Sequence, residues 1–250
     1  MDPQKSLFDK SKILFAVTWI VAYCVLFSVG DALSAAVGVL KAVTLPIGIF
    51  MSVILIAFLH KHNLFGEYGL CKPTASPREM LFYIPAVIMM SANLVFGVAI
   101  NYNALNTVMY VLSMVCVGFL EEIIFRGLLF EAMRENGLKT AVIVSSVTFG
   151  IGHIINLING SGAELLPNLL QVVYATAAGY MFVMMYYRSK SIIICIAAHG
   201  IFNALSIFTK EADVTDGMQI FTAMMLTAIT GSYAVYLALS MKEKGDKSDG

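Results

Sequence analysis

Apolar residues run through this sequence in long blocks, without the period-two alternation of strands or the narrow apolar stripe of a surface helix. Eight blocks approach the roughly 20 residues that a membrane-spanning helix needs. They extend about Ile13 to Gly30, Val39 to Leu59, Met80 to Ile100, Thr107 to Phe130, Thr140 to Ile158, Leu165 to Tyr187, Ser191 to Phe208 and Met218 to Met241. Turn-rich stretches such as Lys72-Pro73-Thr74-Ala75-Ser76-Pro77 and Asn159-Gly160-Ser161-Gly162 separate them. The pattern predicts an all-α polytopic fold: eight transmembrane helices forming one integral membrane domain over residues 1–250. The first block has no small-residue cleavage site after it and is expected to be a retained anchor. No internal repeat points to a two-fold transporter fold. Pro46 and Pro85 are expected to bend their helices.

Composition strengthens this reading. Hydrophobic residues make up 59% of the 250 and charged residues 13%, against about 45–50% and about 25% in soluble domains. Sixteen basic and sixteen acidic residues cancel, so no global field favours nucleic acid; the expected surroundings are the lipid bilayer. With the N-terminus inside, thirteen basic residues fall on inner segments, from Lys5 to Lys247. Only Lys210, beside Glu211, Asp213 and Asp216, lies outside, while Lys41 and Arg126 fall in or at the edge of apolar blocks. That bias predicts two cytoplasmic termini and a place in the cell membrane. The four cysteines form no CxxC pair or regular framework and read as small buried hydrophobes.

Against this background the fourth block carries charges that do not belong in hydrocarbon. It reads Gly118-Phe119-Leu120-Glu121-Glu122-Ile123-Ile124-Phe125-Arg126-Gly127. Each ionisable residue near a membrane centre costs about 2.5–3.5 kcal/mol on insertion scales, so three require compensation. Glu122 and Arg126 are four apart with the acid first, the favourable order for a pair. Glu121 is turned about 100° around the helix and is left over. Either the pair is a bundle core that tolerates a second glutamate, or Glu121 is kept for chemistry. Block five offers Phe149-Gly150-Ile151-Gly152-His153, which reads equally as close helix packing or as a functional histidine. Block seven offers His199 and Asn203 on one face, an interhelical pair or two polar groups aimed into a cavity. Counted at 1.5 Å per residue from the cytoplasmic side, Glu121 lies roughly 14 Å deep, His199 13 Å, Asn203 18 Å and His153 20 Å. One cavity in the middle to cytoplasmic half is expected to collect them. Asn93, Asn168 and Gln171 are expected to be interhelical glue; His60 and His62, on a cytoplasmic loop, are expected to take no part.

EExxxR on one helix, FxxxH on the next and HxxxN two helices later resemble the CAAX protease and bacteriocin-processing (CPBP, or Abi) family. The match runs from about Tyr110 to Ser206, inside a motif-bearing core of residues 107–208. The resemblance implies an intramembrane endopeptidase acting on a peptide or membrane-protein substrate, with its site facing the cytoplasm. Glu121 would be the base that activates water, assisted by His153. His199 and Asn203 would hold the oxyanion, while Glu122 and Arg126 would orient the first carboxylate. No cofactor is expected on this reading, although the family has also been described as metal-dependent; Glu121, His153 and His199 would then be the zinc ligands. Two other readings use the same residues. Membrane carboxylates and histidines also form proton relays in coupled transporters, and the scaffold also suits a non-catalytic bacteriocin self-immunity protein.

Overall fold

The computed structural model describes residues 3–159, 164–210 and 214–248, with side chains to Ser240. Gly160, Ser161 and Gly162 of the expected turn, and Glu211 and Asp213, lie outside the described residues. A short amphipathic helix α1 (Pro3–Lys10) leads into α2 (Lys12–Val37) and α3 (Thr44–Lys61); α4 (Ile84–Ser91), α5 (Ala104–Glu122) and α6 (Leu138–Gly152) follow. The chain then forms α7 (Leu165–Ser189), α8 (Ile193–Leu205) and α9 (Asp216–Ser248). Helix α5 continues without a break to Asn136, giving a 33-residue span. Among the described residues, β-type pairing is confined to one isolated bridge, Val98 with Thr209.

Six helices are long and apolar enough to cross a membrane: α2, α3, α5 with its extension, α6 with its last turn, α7 and α9. The chain is an integral, multi-pass membrane protein. Two of the eight expected blocks form shorter helices. The seventh is the apolar helix Ile193–Phe208. The third, Met80 to Ile100, is interrupted at both ends. Leu81, Phe82 and Tyr83 have φ of 46°, 52° and 58°, a left-handed run that costs non-glycine residues energy, and Gly97 turns the chain at φ 110°. Composition marked this block as apolar but could not reveal those turns. Nor do the prolines bend helix interiors: Pro46 and Pro85 occupy the first turns of α3 and α4, where a missing N–H leaves no hydrogen bond broken.

The bundle has two unlike ends. At one, the loop of residues 62–77 is sewn to the α7–α8 connection. Ser189 O accepts from Thr74 N at 2.8 Å and Gly69 O from Ile192 N at 2.9 Å. Cys71 O accepts from Ser191 Oγ at 2.6 Å, and Tyr68 is buried beside Gly127. At the other end Asn106 Oδ1 accepts from Leu40 N at 3.0 Å, and Asn101 Nδ2 donates to Ile207 O at 2.9 Å. In between, α5 and α8 cross at two glycines. A methyl group on Gly118 would lie 2.7 Å from both Cα and N of Gly200. Gly118→Ala therefore has to push α8 away; overpacking of this kind costs about 1–3 kcal/mol. A lower melting temperature of the detergent-purified protein is expected, and an unchanged one would contradict the contact.

Candidate active site

Glu121 and Glu122 form the last turn of α5 before the winding changes. Residues Ile123–Phe130 follow the wider i→i+5 pattern of a π-helix, and all eight are buried. Such stretches free backbone carbonyls and concentrate at functional sites. Here Ser145 of α6 donates its hydroxyl to Phe125 O at 2.8 Å.

Glu122 and Arg126 are fully buried. Arg126 Nη1 lies 3.2 Å from Glu122 Oε1, the pairing their spacing predicts. His199 Nδ1 reaches the same oxygen at 2.8 Å, so one carboxylate oxygen gathers two basic groups from two helices. Aromatic rings complete the enclosure. The guanidinium carbon stands 4.0 Å from the centroid of Phe149 and 5.4 Å from that of Phe182, close enough for cation–π attraction. Phe182 stacks on His199 at 5.7 Å, while Phe149 meets His199 and His153 edge-on at 5.6 and 5.2 Å. The phenylalanine of the FxxxH pattern thus touches the arginine and both histidines.

Glu121 turns the other way, onto a cavity of about 400 Å³. Its Oε1 accepts from the phenol of Tyr23 on α2 at 2.6 Å. Oε2 is buried, without a hydrogen bond among the described residues, and stands 3.5 Å from His199 Nε2. His199 therefore bridges the two glutamates. His153, where α6 tightens into its 3₁₀ turn, has Nδ1 3.1 Å from Phe149 O. A carbonyl can only accept, so Nδ1 carries the proton and Nε2 the lone pair. Asn168 Nδ2 of α7 donates to His153 O at 2.8 Å and fixes that turn. Asn203 lies one helical turn beyond His199 on the cavity wall.

Of the six residues singled out from the sequence, Glu121, His153, His199 and Asn203 share the cavity, with Glu122 and Arg126 beneath it. Tyr23 escaped that reading. Its signal was a lone phenol in the middle of an apolar block, with a partner 98 residues away. The glue residues act between helices: Asn93 Nδ2 donates to Phe202 O at 2.6 Å, and Asn156 Nδ2 to Gln171 Oε1 at 3.4 Å. The zinc alternative asks for three side chains gathered around one point. Among the described residues no three His, Cys, Asp or Glu side chains are placed to hold one metal ion. Nδ1 of His199 is engaged by Glu122 and Nδ1 of His153 by the Phe149 carbonyl, an arrangement that leaves the Nε2 atom of each ring for other partners.

Comparison with known proteins agrees with the motifs. The family described as "Type II CAAX prenyl endopeptidase Rce1-like" matches residues 102–205. The protein named "Putative membrane peptidase YdiL", from Bacillus subtilis (strain 168), is 29% identical over 126 residues, 50% of this chain and 46% of that protein. The chain thus spans about half the length of this curated relative. No solved structure matches. Over residues 102–205, which carry Glu121, Glu122, Arg126, His153, His199 and Asn203, the chain is similar to the Rce1-like CAAX endopeptidases.

Proposed function

We propose that this protein is an intramembrane endopeptidase of the CAAX and bacteriocin-processing kind, in which Glu121 activates water to hydrolyse a peptide bond. The observation that carries this reading is the unlike fate of two adjacent carboxylates. Glu122 is enclosed with Arg126 and His199 and takes no part in the cavity wall, whereas Glu121 lines the cavity; each keeps one oxygen without a hydrogen bond among the described residues. A structural ion pair needs only the first; the second has the placement of a base.

In this mechanism a water lies between Glu121 Oε2 and the substrate carbonyl carbon. Glu121 takes one proton as the water oxygen bonds to that carbon, and His153 Nε2 orients the water by accepting its other hydrogen. The oxyanion formed accepts a hydrogen bond from Asn203 Nδ2. His199, when protonated, supplies a second from Nε2. Glu121 then returns its proton to the amide nitrogen as the C–N bond breaks, leaving a carboxyl terminus and an amine. Tyr23 holds Oε1 so that Oε2 is the oxygen aimed at water. Preorganised donors of this kind are worth about 2.7–4 kcal/mol each in a water-poor site.

Three variants and a chelator test the assignment. Glu121→Gln keeps the shape and can still accept from Tyr23, so peptide cleavage by the purified protein is expected to vanish at an unchanged melting temperature. Glu122→Gln strips Arg126 of its buried partner, a loss of about 3–5 kcal/mol, and is expected to lower melting temperature and activity together. Cleavage by pure Glu121→Gln protein would end the glutamate mechanism. Removal of the oxyanion donor in Asn203→Ala is expected to cost roughly 10²–10³-fold in turnover, while activity persists in a membrane-permeant chelator. Activity lost to the chelator and restored by stoichiometric zinc would decide against it.

A further inference from the structure

The cavity is lopsided along the membrane normal. From Glu121 near mid-bundle it follows α2 through Ser28 to Asp31 and reaches Lys41 in the α2–α3 connection. On the facing helices its wall runs to Asn159, at the far end of α6, and to Ser206, beyond α8. All of these lie toward the end that carries the α2–α3 connection. None of the wall comes from the loop of residues 62–77 or the α7–α8 connection; those two are laced together and seal the opposite end. That sealed end carries the basic residues, Lys61, Lys72, Arg134, Arg188 and Lys190 among them, whereas the open end holds Lys41 and Lys210. Lys41 is moreover neutralised there by Asp31, at 2.8 and 2.9 Å. By the positive-inside rule the sealed end is cytoplasmic.

We propose that the site is reached from the non-cytoplasmic face, so that its substrate is an exported or extracytoplasmic polypeptide segment and not a cytoplasmic chain end. The proposal rests on the endopeptidase reading for what happens to that segment, but not for the side from which it enters. The expected cytoplasmic-facing site took Phe130 as the end of its helix. Because α5 continues to Asn136, Glu121 lies roughly 20 Å from that end. Between the levels of Tyr23 and Asp31 the cavity is about 12 Å deep, room for three or four extended residues at about 3.3 Å each.

Sealed right-side-out and inverted vesicles containing the native protein, each given a membrane-impermeant library of fluorogenic peptides, test this. Glu121→Gln vesicles supply the background. Cleavage at least about tenfold faster in right-side-out vesicles than in inverted ones is expected, with detergent restoring the inverted set. Equal rates, or faster cleavage by inverted vesicles, would overturn the proposal. A second arm needs no activity. With the four native cysteines replaced by alanine, Ser28→Cys is expected to react with an impermeant maleimide in right-side-out vesicles, and Lys72→Cys only in inverted ones. Labelling of Ser28→Cys from the cytoplasmic side alone would overturn the proposal. Absence of cleavage even in detergent would count against the endopeptidase reading, leaving the side of entry to the labels. If the cysteine-free protein fails to fold, the native vesicles decide.

Discussion

A charged pair with no exposure to solvent, Glu122 with Arg126, is the constraint around which this bundle is built. Removing both charges from water costs several kcal/mol per ion, and their mutual attraction offsets that only with good geometry and further partners. The partners come from three other helices: His199 from α8, Phe149 from α6 and Phe182 from α7. Each is held at the cluster by contacts that also set helix positions, such as the Gly118–Gly200 approach. The cluster therefore fixes the relative placement of α5, α6, α7 and α8, and with it the groups facing the cavity. Glu121 is adjacent in sequence but on another face, so it is carried to the cavity wall by the same anchoring.

How far the sequence could be read follows from the range of each interaction. The Glu122–Arg126 pair spans four residues, so helical spacing predicts it. The other members were legible because a histidine or carboxylate in an apolar block is conspicuous on energetic grounds. Their association was legible only through the family resemblance. Tyr23 was not, since a phenol is unremarkable in a membrane helix and its partner is brought by tertiary packing. The His199–Glu122 contact likewise depends on the α5–α8 crossing, which no local pattern encodes. Hydropathy also mistook the end of α5: Glu131, Arg134 and Glu135 close the apolar block, although the helix passes through them. With the helix ended at Phe130, Glu121 is counted nearer to that helix end than the full span places it.

The two ends of the bundle divide the remaining work. One is locked by backbone hydrogen bonds between loops and by the buried ring of Tyr68. The other holds the cavity's polar reach, where Asn93, Asn159 and Gln171 stand with the paired Asp31 and Lys41. An intramembrane hydrolase must admit water and a peptide without opening a path through the bilayer. A cavity closed at one end by interlocked loops meets that requirement without a moving part.

The central claim, that Arg126 belongs to Glu122 and leaves Glu121 free, is tested most directly by a double-mutant cycle on unfolding free energy in lipid bicelles. Glu122→Gln and Arg126→Met are expected to couple by about 1–3 kcal/mol, while Glu121→Gln and Arg126→Met add to within about 0.5 kcal/mol. Additive Glu122 and Arg126 effects, or coupling of Arg126 to Glu121 instead, would contradict the account.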